Sequence, residues 1–185
     1  MSKLVDKTCK DTEWWTPLHI VVAVKMFFAE NFALTPHIPL DPATHPSNPT
    51  GAEEFYCSEG ELKPWVDGTF VNPPYGKEIK TFVAKIAEEA HKGLTIVALL
   101  PASRWEQEYW QRDVFNDHLT ALCLVRKRLR FRKPDGTEAK SNPYASVLYF
   151  YNAYWPDVAQ VFSEEIGKCI EIQTVIGGTE WKSTD

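Results

Sequence analysis

No run in the chain approaches the roughly 18 uncharged apolar residues that a membrane-spanning helix needs, and the first residues lack the charged, apolar and small-residue succession of a secretion signal. A soluble, cytoplasmic protein without membrane contact is expected. Cysteine is sparse: Cys9, Cys57, Cys123 and Cys169 lie far apart and none forms a Cys-x-x-Cys pair. Neither a zinc knuckle nor a secreted disulfide framework is suggested, and reduced thiols are expected. The five histidines include no His-x-x-x-His spacing, which leaves a metal site unsupported. No glycine-rich loop follows the first candidate strand, which weighs against a full nucleotide-binding fingerprint. Internal repeats, low-complexity segments and a visible linker are also missing, so the 185 residues read as one domain, 1–185, with a loose polar start over 1–11. Positive charge is not in excess either: the net charge is −5, which at first sight argues against a nucleic-acid partner.

What is present centres on Thr69-Phe70-Val71-Asn72-Pro73-Pro74-Tyr75-Gly76. A short β-favouring run is halted by an amide, two prolines, an aromatic and a glycine, which holds the last side chains at a sheet edge. Open α/β sheets build their sites at such edges. The Asn72 side-chain carbonyl and the Pro73 main-chain carbonyl can accept both hydrogens of one exocyclic amine. The prolines flex little and donate no competing N–H, and Tyr75 offers a flat face for a planar base. That set suits methylation of an amino group on an extruded nucleobase; a strand that merely ends in a Pro-Pro turn is the plainer alternative.

Charge distribution qualifies the net value. Arg126, Lys127, Arg128, Arg130, Arg132 and Lys133 place six of the 20 basic residues in a stretch without an acid. An acidic body with one basic ridge can still hold a phosphate backbone. Alternation of Leu129 and Phe131 with Arg128, Arg130 and Arg132 suggests a strand with one basic, exposed side, although basic runs are most often solvated faces.

Elsewhere the pattern predicts a helix from Pro17 to about Asn31, with Thr16 as N-cap, Pro17 at the first helical position and apolar residues on nearly every side. Trp14 and Trp15 either anchor its start or flank a ligand with a carboxylate and an aromatic ring. Prolines break 35–49 so that only His37 to Leu40 can form a strand, with Asp41 at its end. Glu53, Glu54, Glu59 and Glu61 follow in an acidic, turn-rich stretch as solvated loop acids or ribose acceptors. An amphipathic helix is expected over Lys77–His91, stopped by Gly93, with Ile79, Phe82, Val83, Ile86 and Ala90 on one face. The run from Leu94 to Leu100 reads as a buried strand, which completes a βαβ unit. The segment 102–117, with Arg104, Trp105, Tyr109 and Trp110, reads as helix packing or as lining for a displaced strand. Strands over His118–Val125 and Ala145–Tyr151, a helix near Asp157–Ile166 and a strand near Cys169–Ile176 complete the pattern.

Asn72-Pro73-Pro74-Tyr75 resembles the catalytic motif of amino methyltransferases in the form usual for DNA adenine-N6 enzymes. From about Glu13 to Tyr151 the chain resembles the small phage and prophage Dam-type DNA adenine methyltransferases. Glu13-Trp14-Trp15-Thr16-Pro17, Leu40-Asp41-Pro42-Ala43-Thr44, Leu99-Leu100-Pro101-Ala102 and Asn142-Pro143-Tyr144-Ala145-Ser146 carry the rest of that likeness. The resemblance implies an α/β, Rossmann-like class I methyltransferase, with a mainly parallel central sheet and an antiparallel hairpin at the end. It implies S-adenosyl-L-methionine as cofactor and double-stranded DNA in a bacterial cell as partner. The expected catalytic residues are Asn72, Pro73, Pro74 and Tyr75. Trp15, Thr16, Pro17, Asp41, Pro42 and Glu61 are expected to bind the cofactor. Arg126, Arg128, Arg130, Arg132, Lys133 and Tyr144 are expected to bind DNA, and no metal is expected. The same motif serves enzymes of cytosine N4, RNA bases or protein glutamine, and a DNA-binding protein with a decayed cofactor site is a further alternative. The recognised DNA sequence and the choice between monomer and homodimer stay open.

Overall fold

A strand that is apolar at every position needs cover on both faces, and the residues from Ile96 to Pro101 receive it. The computed structural model of the protein describes residues 15–33, 35–133, 137–138 and 144–172. Its elements in chain order are α1 (Leu18–Phe32), β1 (Leu40–Asp41), β2 (Glu54–Phe55), a 3-10 turn (Gly60–Leu62), β3 (Thr69–Val71), α2 (Ile79–His91), β4 (Ile96–Pro101), α3 (Glu108–Asp113), β5 (Leu119–Val125), β6 (Ser146–Tyr151), α4 (Trp155–Phe162) and β7 (Gly167–Glu171). The strands form one seven-stranded sheet in the order β2-β1-β3-β4-β6-β5-β7.

β2, β1, β3 and β4 pair in parallel. β6 runs antiparallel to β4 and β5 antiparallel to β6, so β5 points the same way as β4, and β7 returns antiparallel to β5. The sheet is thus mainly parallel in strand direction with an antiparallel end, as the sequence leads one to expect of a Rossmann-like fold. β6 is inserted between β4 and β5 rather than added at the margin.

Strand periodicity divides the core into two layers. Val97 and Leu99 of β4 with Leu148 and Phe150 of β6 face Ile20, Val24, Phe27 and Phe28 of α1 and Phe162 of α4. Ile96, Ala98 and Leu100 with Val147, Tyr149 and Tyr151 share the other layer with Ile79, Phe82, Val83 and Ile86 of α2 and Trp110 of α3. The α2 face is the one its periodicity predicts.

Several elements depart from the sequence reading. α1 is not buried all round: Leu18, Val22 and Met26, at four-residue spacing, are 65%, 50% and 42% exposed. Pro17 rather than Thr16 occupies its N-cap, and no side chain caps the helix. β2 and the 3-10 turn form within the acidic stretch, where turn-forming residues give no strand signal. Residues 126–131 are not a strand; Lys127 adopts a positive φ of 60° and breaks the extended path. The inward alternation survives, since Leu129 and Phe131 are buried and Arg128, Arg130 and Arg132 exposed. The last strand begins earlier than expected, at Gly167, where any side chain would collide with the Leu124 carbonyl oxygen. Trp14, Asn142, Pro143 and the stretch 173–176 lie outside the described residues. Cys123 and Cys169 carry free thiols and face each other across β5 and β7. No described helix is long and apolar enough to cross a membrane.

Phe150 is fully buried with its ring 4.9 Å from Phe162 and 5.6 Å from Phe27. It joins the sheet to both α1 and α4, so collapse around a cavity there is resisted from two sides. Phe150→Ala is expected to cost about 3–5 kcal/mol of unfolding free energy, read from denaturant midpoints; a loss below about 1 kcal/mol would contradict this packing.

Candidate active site

In an open parallel sheet, ligands settle at the carboxyl ends of the strands where the strand order reverses. Here the chain steps outward from β1 to β2 and then returns to place β3 on the other side of β1, so the reversal lies between β1 and β3. Asp41 ends β1, and Asn72 directly follows β3. A cleft at this point is lined by Trp15, Thr16, Asp41, Ala43, Thr44, His45, Pro49, Thr50 and Asn72.

Asn72 is half-buried, and its Nδ2 donates to Thr16 Oγ1 at 3.1 Å. Pro73 is buried and Pro74 exposed. Tyr75 is half-buried: its hydroxyl lies 3.5 Å from the Leu99 carbonyl, and its ring stands perpendicular to Phe131 at 6.4 Å. Desolvation of that hydroxyl raises its pKa well above the ordinary phenol value, so it stays protonated.

Asp41 is 2% exposed. Its Oδ1 accepts from the Ala43 N–H at 3.1 Å and its Oδ2 from the Thr50 hydroxyl at 2.8 Å. The carboxylate thereby closes the loop from 41 to 50 on itself, and Thr44, His45 and Thr50 enter the cleft. Burial pushes its pKa from 3.8 up to about 6, against the lowering by these hydrogen bonds. Trp15 tilts toward His45, with ring centroids 5.7 Å apart. Its indole N–H is buried without a protein acceptor among the described residues. An orphan donor in a cleft lining suits a ligand that brings an acceptor.

Of the expected cofactor residues, the cleft gathers Trp15, Thr16 and Asp41 but not Pro17, Pro42 or Glu61. Pro17 is the buried N-cap of α1. Pro42 packs on the 3-10 turn that carries Glu61, so closely that a side chain at Gly60 would collide with the Pro42 carbonyl oxygen. Thr44, His45, Pro49 and Thr50 join the lining without having been expected there. The Asp-Pro-Ala-Thr run is a signal for Thr44; nothing in the sequence marks the other three.

The basic segment reaches this site. The Trp15 N–H donates to the Arg132 carbonyl at 2.7 Å and the Arg132 N–H to the Trp15 carbonyl at 3.1 Å. Arg126, Arg128, Arg130, Arg132 and Lys133 are all exposed, with Arg130 3.4 Å from Glu138. Tyr144, just before β6, is 47% exposed. On the other flank Arg104, with φ at 66°, donates to the Tyr75 carbonyl at 3.4 Å and to the Tyr109 hydroxyl at 3.3 Å. Trp105 beside it is partly exposed and donates to the Tyr149 hydroxyl at 3.0 Å. Among the described residues, no cluster of three or more histidines, cysteines or acids is arranged to hold a metal ion.

A family model described as DNA N-6-adenine-methyltransferase (Dam) matches residues 2–166. No curated protein matches the chain.

The raised pKa of Asp41 has a stability consequence. Between about pH 4 and 6 the native state retains a proton that the unfolded chain has lost, so this contribution to stability falls as pH rises through that window. The penalty is complete above it, at up to roughly 3 kcal/mol. Asp41→Asn is therefore expected to be more stable than the parent at about pH 8 and to lose most of that advantage at about pH 4. Denaturation at both pH values reads the difference; an advantage equal at both would exclude the carboxylate as its source.

Proposed function

The chain belongs to the DNA N-6-adenine-methyltransferase (Dam) family, enzymes that act on adenine in DNA, and from that premise we propose that it methylates N6 of an adenine flipped out of duplex DNA with S-adenosylmethionine as donor. The observation that carries this reading is the Asn72 amide at the end of β3, beside a cleft at the reversal of strand order. S-Adenosylmethionine supplies an electrophilic methyl group on a sulfonium.

The residues fit that donor. The unpaired Trp15 indole N–H offers a hydrogen bond, and the Asp41 carboxyl offers charge complementary to a cation once it ionises above about pH 6. Trp15 and Thr16 line the cleft beside Asp41. Pro42 packs against Gly60 behind the loop, and neither it nor Glu61 lines the cleft.

Toward the base, Asn72 Oδ1 and the Pro73 carbonyl accept the two N6 hydrogens, which withdraws the nitrogen lone pair from conjugation and aims it at the donor. Tyr75, kept neutral by burial, stacks on the adenine ring, and Pro74 fixes the loop. The chemistry rests on positioning: an aligned amine needs no base before transfer, and its surplus proton leaves afterwards. Arg126, Arg128, Arg130, Arg132 and Lys133 meet the phosphates, with Tyr144 as a second aromatic contact. Their exposure, and the tie from Arg132 to Trp15, support a duplex lying across this side of the cleft.

Incubation with labelled S-adenosylmethionine and duplex DNA, followed by nucleoside analysis, tests the reading. Label is expected in N6-methyladenine; label in N4-methylcytosine, or cofactor binding without label in DNA, would overturn it. Asn72→Ala is expected to lower transfer at least about a hundredfold, the scale of losing a main orienting group, with cofactor Kd within about threefold by calorimetry. Retained transfer would remove the motif from the chemistry.

Replacing Arg128, Arg130 and Arg132 together by Ala is expected to weaken DNA binding. The slope of log K against log salt should fall by about 2–3, close to one for each phosphate no longer neutralised. An unchanged slope would take this segment out of the DNA interface.

A further inference from the structure

A primary amide is nearly symmetric in shape and opposite in function at its two ends. The terminal torsion of asparagine is broad and roughly two-fold, so an unrestrained Asn72 presents its oxygen or its nitrogen to the target with little steric preference. With the nitrogen forward, two N–H groups would meet the adenine amine and the Pro73 carbonyl would be left as the single acceptor. With the oxygen forward, the amide nitrogen needs an acceptor outside the Asn-Pro-Pro-Tyr motif.

We propose that Thr16 is the positioning residue that supplies it: its hydroxyl accepts from Asn72 Nδ2, which leaves Oδ1 for the target amine. The inference rests on the reading that Asn72 polarises that amine. Thr16 is the partner of Nδ2 at 3.1 Å, across 56 residues of sequence. Its side chain has no other structural task in the helix, since α1 starts without a side-chain cap and with Pro17 at the N-cap.

Both ends of the contact are anchored. The residue before Thr16 is fixed by two main-chain hydrogen bonds to Arg132, and the Pro17 carbonyl after it accepts from Ile20 and Val21 at 3.0 and 3.2 Å. Asn72 follows β3, which is paired on both sides, and precedes Pro73, whose ring restricts the main chain. A hydrogen bond between two fixed frames selects geometry, where one between mobile loops would only follow it. Thr16 therefore acts on the rate through Asn72, while cofactor affinity rests on its neighbours in the cleft.

Thr16→Val keeps the shape and removes the hydroxyl. It is expected to lower kcat, at saturating cofactor and DNA, by roughly five- to thirtyfold, the effect of about one to two hydrogen bonds' worth of orientation. The Kd for S-adenosylmethionine should stay within about threefold, and Thr16→Ser, which restores the hydroxyl, should return kcat to within about threefold of the parent. If the valine variant melts well below the parent, Thr16→Ala takes its place. With asparagine labelled by nitrogen-15, the two Asn72 side-chain protons are expected to differ in hydrogen exchange in the parent and to become alike in Thr16→Val.

Unchanged kcat in Thr16→Val overturns the proposal, as does a large rise in cofactor Kd with kcat intact, which would make the hydroxyl a cofactor ligand. A serine variant no better than valine does so too. These outcomes separate from failure of the underlying reading: if Asn72→Ala still transfers methyl groups, the motif assignment is wrong, whereas loss in Asn72→Ala with full activity in Thr16→Val leaves the motif standing and removes only Thr16.

Discussion

The parallel pairing of β3 with β1 on one side and β4 on the other is the constraint from which the site follows. Leu40 is level with Thr69, and Thr69 with Ile96. With a rise of about 3.3 Å per residue, that register sets Asp41 and Asn72 on neighbouring strands a short step apart along the strand axis. A slip of one residue would turn Phe70 and Val71 to the wrong layers and carry Asn72 with them. Burial of Phe70 in one layer and Val71 in the other therefore fixes the position of the polar side chain that follows them.

That dependence explains which parts are readable from the sequence. The strand before Asn72, the face of α2 and the continuous run of β4 announce themselves because their periodicities report the layers directly. α1 is apolar at Leu18, Val22 and Met26 as well as at its core positions, so its pattern does not tell the covered side from the exposed one. In the basic segment the alternation at Leu129 and Phe131 is legible, but the partner is not. Arg132 pairs with Trp15, more than a hundred residues away in the chain, and a turn at Lys127 takes the segment out of the sheet.

The cleft is the hardest part to read, for the same reason. Asp41 is visible as a residue at a strand end, whereas its partnership with Thr50 and Ala43 depends on how a proline-broken loop closes. His45, Pro49 and Thr50 enter the lining through that closure. Among the four acids of the following stretch, Glu61 is the one that the family likeness singles out; it sits on the 3-10 turn whose Gly60 packs against Pro42, outside the lining. The buried Asp41 costs stability at neutral pH. Groups with a pKa perturbed in this way cluster at functional sites, which sets Asp41 apart from the solvated acids that make up most of the negative balance.

The four residues from Asn72 to Tyr75 do not hold themselves in place. Asn72 is tied at its amide to Thr16 before α1, and the Tyr75 carbonyl accepts from Arg104 after β4. Arg104 adopts a left-handed backbone, a conformation unfavourable for a side chain with a Cβ and one that accumulates at functional sites. Its second hydrogen bond goes to Tyr109, whose ring carries Lys80 of α2 at 4.9 Å, so the loop is also braced against α2 and α3. The geometry of Asn-Pro-Pro-Tyr is therefore a property of the segments before α1 and after β4 as much as of the motif. The same four residues at the end of a strand without these two braces would keep the acceptor groups and lose the direction in which they point.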